Sequence, residues 1–456
     1  MKMTKIGIAL LAGTSFAAGC AVASNGGMFP AAAQGTNQKQ TYQMLTLFST
    51  VLDRVRADYV EPVSDRTLID NALNGMLTGL DPHSAYMTDQ QWHDMQTETS
   101  GKFGGIGLEV TDNAGLLQVI SPIDGTPAAA AGLLPGDLIT AVNGKTVEGL
   151  SLNDAVSEMR GPPNTEVHLI VKRQGVTNPI TVALTRQIIH VETVKSRLIN
   201  DIGVIRISEF TERTDPGVRE AINSLRAQAG GHLRGLILDL RNDPGGLLDQ
   251  AIAVSNDFLP SGGIVSTRGR HSDDDQSWSA KPTEDVSGGL PIVILTNNGS
   301  ASASEIVAGA LQDNHRALVL GTQSFGKGSV QTIFPLAGNG AVRLTTARYY
   351  TPSGRSIQGV GITPNVVVQE TRTPEPHFAP EHEADLQHIL SVPGSSTKPA
   401  PAPPPAVLPE AAGQIPRLPP ENWPKFDPKK PATDFQLQQG LVLVRAIVAG
   451  SKAASR

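Results

Sequence analysis

The chain has 456 residues, 39% of them hydrophobic and 18% charged, with a net charge of −6. That length suffices for two or three domains with cores of their own, and the acidic balance offers no basic surface to nucleic acid. Cys20 is the only cysteine, which excludes an intramolecular disulfide and a cysteine-pair zinc site.

Residues 1–23 read as an export signal. Lys2 and Lys5 precede the apolar run Ile6–Gly19, and small residues follow. Ala21-Val22-Ala23 fits an A-x-A cleavage site. Ala17-Ala18-Gly19-Cys20 also loosely fits a lipoprotein signal, which makes Cys20 a candidate lipid anchor, although Ala17 stands where such signals usually carry Leu. The run is short for a bilayer span, and no later segment is long and apolar enough to be one. Plain export is the favoured reading, and the chain is expected in the periplasm or cell envelope.

Residues 24–39 are small and polar and read as a spacer. Residues 40–100 read as a helical segment, because Leu45, Phe48, Val51, Leu52, Val55 and Tyr59 recur at intervals of three and four, and Ile69, Leu73 and Met76 repeat the pattern. Ser64 is placed to cap the second helix. This segment is either a layer packed on the rest or an arm for homo-oligomerisation.

Residues 101–187 form a second unit of short strands. Gly104-Gly-Ile-Gly-Leu108 leads into one strand, Leu116–Ile120 is another, and Asn143-Gly144 is a hairpin signal. Ser151–Arg160 reads as a short helix capped by Ser151. Strands are expected at Val167–Val171 and Pro179–Leu184. Residues 188–370 alternate strands and helices. Ile202–Ile207, Gly235–Leu240, Pro291–Leu295 and Ala317–Gly321 read as strands, the second and third buried by their continuous apolar runs. Helices are expected at Pro216–Ala229, Leu247–Asn256 and Ser302–Asn314, with further strands at Val330–Phe334 and Val342–Tyr350. This is an α/β or mixed α+β core. Residues 371–432 are Pro-rich, as in Pro399-Ala-Pro-Ala-Pro-Pro-Pro405, and read as an extended linker. Phe435, Leu437, Leu441, Val444 and Ile447 mark a last amphipathic helix within 433–456.

Two strand ends carry candidate chemistry. After the Pro291–Leu295 strand comes Asn297-Asn-Gly-Ser-Ala-Ser302-Ala-Ser-Glu305. Ser302 falls at a helix N-terminus, where unpaired amides and the helix dipole favour negative charge. A tetrahedral oxyanion beside Ser302 would find one donor in the Ala303 amide. After the Gly235–Leu240 strand comes Arg241-Asn-Asp-Pro-Gly245-Gly246, whose glycines admit a close backbone approach. Gly245 or Gly246 is the candidate for the second donor. The plainer account of the serines is that Ser300, Ser302 and Ser304 cap the helix.

A base is supplied by Gly321-Thr-Gln-Ser-Phe-Gly-Lys327-Gly-Ser-Val-Gln331. A free lysine keeps its proton to about pH 10.4, so Lys327 must be buried among apolar groups, away from carboxylates, to take a proton from serine. No acid lies between residues 314 and 354. Gln331 could orient the amine, but in a straight strand it would stand roughly 13 Å away, so contact requires a turn near Gly328. A phosphate-binding loop is excluded, because Gly328 stands where that motif needs Ser or Thr. His315 with Asp313 lacks the G-x-S-x-G context of a Ser-His-Asp hydrolase. Glu381-His382-Glu383 and His388, beside the Pro-rich run, are expected to be solvated.

These motifs, with Gly79-Leu-Asp-Pro-His-Ser-Ala-Tyr86, resemble those of the carboxyl-terminal processing (tail-specific) proteases over residues 40–370. The resemblance implies a multidomain α+β fold. A mixed α/β serine-protease core (188–370) follows an inserted PDZ domain (101–187) and an N-terminal helical segment (40–100). It implies Ser302 as nucleophile, Lys327 as base, Gln331 as its orienting group, and Gly246 with Ala303 as oxyanion hole. Gly105, Ile106, Gly107 and Leu108 would be the carboxylate-binding loop of the PDZ domain, and Arg160 a link from it to the core. No metal or other cofactor is implied. The expected partners are proteins or peptides with exposed apolar C-termini. The rival expectation is a catalytically silent PDZ adaptor that binds C-termini.

Overall fold

The computed structural model describes residues 38–372, 382–391 and 408–454, apart from Ala114, Asp124, Ser151, Thr283 and Glu284. The export signal, Cys20, the Ser151 cap and the Pro399–Pro405 run lie outside those residues. The chain forms two compact units that part between Ile69 and Asp70. Among the described residues no helix is long and apolar enough to cross a membrane.

The first unit holds helix α1 (Gln38–Asp58) and the start of α2 (Asp65–Thr78). Ser64 Oγ accepts the Thr67 amide at 3.1 Å, which is the cap that the sequence signals. The apolar stripe of α1 is exposed, with Tyr42, Leu45, Phe48 and Val51 all open to solvent.

The second unit begins with strand β1 (Ala85–Met87), helix α3 (Asp89–Ser100) and strand β2 (Lys102–Gly105). A small antiparallel domain follows: β3 (Leu108–Asn113), β4 (Leu116–Pro122), α4 (Pro127–Ala130), β5 (Leu138–Val142), β6 (Lys145–Thr146), α5 (Leu152–Met159), β7 (Glu166–Lys172) and β8 (Ile180–Thr185). Its sheet runs β3-β4-β5-β7-β8, so β3 is an edge. Asn143 and Gly144 both take positive φ in the two-residue turn from β5 to β6, as the Asn-Gly signal requires. Ile106, Val119, Ile139, Val167, Leu169 and Val171 fill the core of this domain. Strand β9 (Gln187–His190) pairs with β2 and closes it off.

The large core adds β10 (Val194–Ile199), β11 (Ile202–Ile207), α6 (Thr214–Gln228), β12 (Gly235–Asp239), α7 (Leu248–Asn256), β13 (Gly263–Gly269), β14 (Gln276–Ser279), β15 (Ile292–Thr296), α8 (Ala303–Asp313), β16 (Ala317–Gly321), β17 (Ser329–Pro335), β18 (Ala341–Tyr350), β19 (Val366–Val367) and α9 (Phe435–Ala454). Its main sheet runs β10-β11-β12-β15-β16-β19, parallel except for the β10–β11 pair. Successive side chains point to opposite faces. Leu236, Leu238, Ile292 and Ile294 meet α6, α7 and α8 on one side. Ile237, Val293, Leu295 and Leu320 meet α9 on the other. A helix–sheet–helix sandwich results, with the ends of parallel β12 and β15 side by side. A second sheet, with β18 pairing to β1, β13 and β17, stands beside those ends. The fold is therefore a mixed α+β assembly with an N-terminal helical segment. Part of 408–432 also packs on the core, since Ala412 is buried and the Trp423 ring meets Phe435 edge-on.

Candidate active site

The loops after β12 and β15 are tied to each other by side chains. Asn297 Oδ1 accepts the Asn242 amide at 2.8 Å, and Asn297 Nδ2 donates to Asn242 Oδ1 at 2.8 Å. Ser300 Oγ donates to Leu240 O at 2.8 Å, and Ser304 Oγ donates to Asp243 O at 3.1 Å. Both serines are fully buried and committed to carbonyls across the gap, so they are structural. Ser302 differs from its neighbours. It is half-buried, and its backbone sits at φ 53°, ψ −111°, a conformation that non-glycine residues rarely hold. Such strain persists at a strand-to-helix turn when the surroundings over-determine it.

Glu305 supplies that determination. Its carboxylate is fully buried and accepts four hydrogen bonds. The Ser302 and Lys327 amides both reach Oε2 at 2.9 Å. Ser324 Oγ reaches Oε1 at 2.5 Å and the Gly326 amide reaches it at 2.8 Å. Burial pushes this carboxyl up to about 7 against those donors. Tyr349, buried on β18, adds a second bridge. Its hydroxyl bonds both Lys327 O and Ser302 O. Burial, with Glu305 and Glu383 nearby, holds its proton well above the ordinary phenol range. The Phe325 amide donates to Ser300 O at 2.9 Å and completes the seam between the serine and lysine loops.

The Lys327 amine is held below its ordinary range, first by burial and then by the Arg343 charge. Glu383, Glu305 and Asp81 act in the opposite direction. The acid-free stretch of sequence is thus not an acid-free pocket, because the fold brings three carboxylates near the lysine from other segments. Gln331 lies on β17 just past a bulge between Val330 and Gln331. Its Nε2 donates to Ser329 Oγ at 2.9 Å and Thr345 Oγ1 at 3.2 Å. Among the described residues its Oε1 accepts from no protein donor, and no hydrogen bond joins it to Lys327.

The oxyanion candidates separate clearly. The Gly245 amide is taken by Asp243 Oδ1 at 2.9 Å. Gly245 O accepts the Phe210 amide at 2.7 Å and Phe210 O accepts the Leu247 amide at 2.8 Å, which leaves the Gly246 amide out of the bridge. Among the described residues neither Gly246 nor Ala303 spends its amide on a protein acceptor. A Cβ on Gly245 would stand 2.8 Å from Ser302 Cβ, so the turn lies against the serine itself. Among the described residues Asp243 Oδ2 is buried without a partner, and burial pushes that carboxyl up to about 7.

In the smaller domain, Ile106 is buried and Gly107 takes φ 76°. Gly107 O accepts the Ile123 amide at 3.0 Å and Thr126 Oγ1 at 3.2 Å. Gly105 ends β2 and Leu108 opens β3, the edge strand. The Arg160 guanidinium lies 4.8 Å from the centre of the Phe103 ring on β2. His315 is exposed, and Asp313 is engaged by Arg355 Nη2 at 2.6 Å and Ser353 Oγ at 2.6 Å, so no Ser-His-Asp arrangement forms. Glu383, expected to be solvated, is instead fully buried. His83 holds it at 2.9 Å and Gln358 at 3.0 Å. Glu305 and Tyr349 are not given a role at the site by the sequence, and Glu383 is placed there only among solvated residues. Only Glu305 had a signal there, the Ser-x-x-Glu spacing from Ser302 that marks a helix start.

Comparisons with known proteins give the family. Residues 201–368 match the model of peptidase family S41, residues 118–173 match a PDZ domain, and residues 9–91 match the N-terminal domain of the activating protease CtpB. A carboxy-terminal-processing protease of Bartonella bacilliformis is 53% identical over 335 residues, covering 73% of this chain and 77% of that one. The carboxy-terminal processing protease CtpA of Bacillus subtilis is 37% identical over 348 residues, 76% of this chain and 73% of that one. A solved photosystem II D1 C-terminal processing protease is 31% identical with a TM-score of 0.43, over 71% of this chain and 86% of that one. The chain is a serine peptidase that carries a PDZ domain. It belongs to peptidase family S41, among the carboxy-terminal-processing proteases.

Proposed function

We propose that this protease is an exported endopeptidase that cuts other proteins near their C-termini with a serine–lysine pair. Ser302 Oγ attacks the scissile carbonyl while the neutral Lys327 amine takes its proton. The oxyanion is received by the Gly246 and Ala303 amides. The Lys327 ammonium then gives its proton to the leaving amine, and water hydrolyses the acyl-enzyme. Gln331, not bonded to Lys327 in the free chain, would orient the amine through its free Oε1. The observation that carries the reading is the shared acceptor, because Glu305 Oε2 binds the backbone of both nucleophile and base and fixes their spacing. The lowered proton affinity of Lys327 supports it.

The loop Gly105–Leu108 is assigned to seize a terminal carboxylate by its amides, with the substrate tail adding as a strand along β3. Arg160, stacked on Phe103, would relay that event to the core. Export rests on residues 1–23, with Cys20 as the alternative lipid anchor and the periplasm or cell envelope as the expected site of action. The exposed stripe of α1 is assigned to pairing with a second copy, which sedimentation of a variant carrying Leu45→Glu and Phe48→Glu would test.

The experiment is cleavage of an unfolded chain with an apolar C-terminus by Ser302→Ala, Lys327→Ala and Lys327→Arg. All three are expected to be inactive, since arginine cannot give up its proton. Turnover by any of them would sink the assignment.

A further inference from the structure

The match to family S41 ends at residue 368, yet a residue beyond it lies in the wall of the Lys327 pocket. Glu383 is 0% exposed. Its carboxylate accepts from His83 Nε2 at 2.9 and 3.0 Å and from Gln358 Nε2 at 3.0 Å. Its amide donates to Phe325 O at 2.9 Å, and His382 Nδ1 donates to Ser324 O at 3.2 Å. Gln358 in turn accepts the Gly328 amide at 2.9 Å through Oε1. The loop Ser324–Gly328 is thus gripped from two sides. Glu305 and Gln358 hold its amides, while residues 382 and 383 hold its carbonyls. A buried carboxylate is expensive unless it is fully paired, and this one is paired at the place where the loop must be fixed.

We propose that Glu383 is a positioning residue for Lys327, anchoring its loop and placing a buried carboxylate in the wall of its pocket. The inference rests on Lys327 being the base. The charged groups facing that amine are Glu305 from α8, Asp81 from the loop before β1, Arg343 from β18 and Glu383. His83 binds Glu383, and Arg343 Nε donates to His83 O at 2.8 Å. Glu383 opposes Arg343, since a negative charge nearby favours the ammonium. Its presence keeps the base from losing its proton too readily and becoming a weak proton acceptor. The serine–lysine pair therefore depends on a residue reached only after the chain has left the matched core.

The test is the pH profile of kcat/KM for the full chain and for Glu383→Gln, Glu383→Asp and Lys327→Arg. Glu383→Gln keeps the shape and removes the charge, so its acid limb should move to lower pH. Relative to its own plateau it should be several-fold more active than the parent on that limb. Glu383→Asp keeps the charge but shortens the reach, so the limb should stay and the plateau fall by roughly tenfold through misplacement of the loop. An unmoved limb in a folded Glu383→Gln, with Lys327→Arg inactive, overturns the inference and leaves the base standing. Should Glu383→Gln fail to fold, a full parental plateau in Glu383→Asp overturns it as well. Turnover by Lys327→Arg removes the base assignment itself.

Discussion

Ser302 and Lys327 donate their backbone amides to one and the same oxygen, Oε2 of Glu305. Ser302 opens α8 and Lys327 sits on a separate loop before β17, so nothing in local structure keeps them together. A buried carboxylate that accepts both amides makes their spacing a property of one side chain. Tyr349 repeats the arrangement on the carbonyl side. Ser302 can hold φ 53° because its N–H and its C=O are both engaged.

Replacing Glu305 should therefore damage stability and catalysis together. Glu305→Ala orphans the Ser302, Gly326 and Lys327 amides and the Ser324 hydroxyl. An unsatisfied buried donor costs about 1–3 kcal/mol. Glu305→Gln presents an NH2 group to one pair of those donors, so it is expected to lose about 1–3 kcal/mol. Its kcat should fall roughly tenfold or more, since small misplacements of reacting groups are costly. Urea unfolding and steady-state kinetics check both. Parental kcat in Glu305→Ala would remove the bridge from the mechanism.

The lysine gives a pH dependence whose sign is fixed. Its folded-state pKa lies below 10.5, and the base proposed here acts as the neutral amine, so activity should be lost as pH falls through that lowered value. Stability follows the same linkage in reverse. At pH values below the folded pKa both folded and unfolded lysines are charged, and the folded state bears the full burial penalty. Above 10.5 neither is charged and the penalty vanishes. Lys327→Met should be inactive yet melt higher than the parent at pH 7, with the gain fading as pH approaches 10.5. A lower melting point at pH 7 would contradict a desolvated lysine.

How far the sequence anticipates this follows from the range of each interaction. Strands β12, β15 and β16 are legible because buried parallel strands must be apolar on both faces. Ser302 and Lys327 stand out because their neighbours are small and their chemistry is local. Strands β13 and β14 escaped, since Ser266, Arg268, Gln276 and Ser277 break any simple alternation. The bulge before Gln331 is invisible because it depends on pairing with β18. Tyr349 is an ordinary strand residue until its hydroxyl meets two carbonyls from distant loops. Glu383 looked solvated because its partner, His83, is 300 residues away in the chain.

The paired glycines after β12 yield a graded prediction. A Cβ on Gly246 would stand 2.2 Å from Phe210 O at φ 135°, and one on Gly245 would stand 2.7 Å from Ala301 O at φ 102°. Both alanine variants are expected to melt lower. Gly246→Ala must also displace the amide assigned to the oxyanion, so its kcat should fall roughly 10²–10³-fold. Its KM should change far less, since the oxyanion forms only in the transition state. Equal losses in KM and kcat/KM, with kcat unchanged, would instead make the turn a substrate-binding element.

Asp434, just before α9, makes the C-terminal helix part of the catalytic core. Arg241 leads the turn that carries Gly245 and Gly246, and its guanidinium is buried between Asp239 and Asp434. Arg241 Nη2 meets Asp239 Oδ2 and Asp434 Oδ2 at 2.7 Å each, and Nη1 reaches Gln436 Oε1 at 3.2 Å. Asp434→Ala leaves Arg241 paired with Asp239 and removes its charge-assisted hydrogen bonds to Asp434, a loss of about 1.5–3 kcal/mol. It should therefore lower the melting temperature by roughly 5 °C. Asp434→Asn, which still accepts through one oxygen, should fall between it and the parent. Because the same guanidinium braces the turn assigned to the oxyanion, kcat of the folded Asp434→Ala protein should drop while peptide binding by the PDZ domain is unchanged. A variant that melts lower but turns over at the parental rate would confine Asp434 to holding the helix in place.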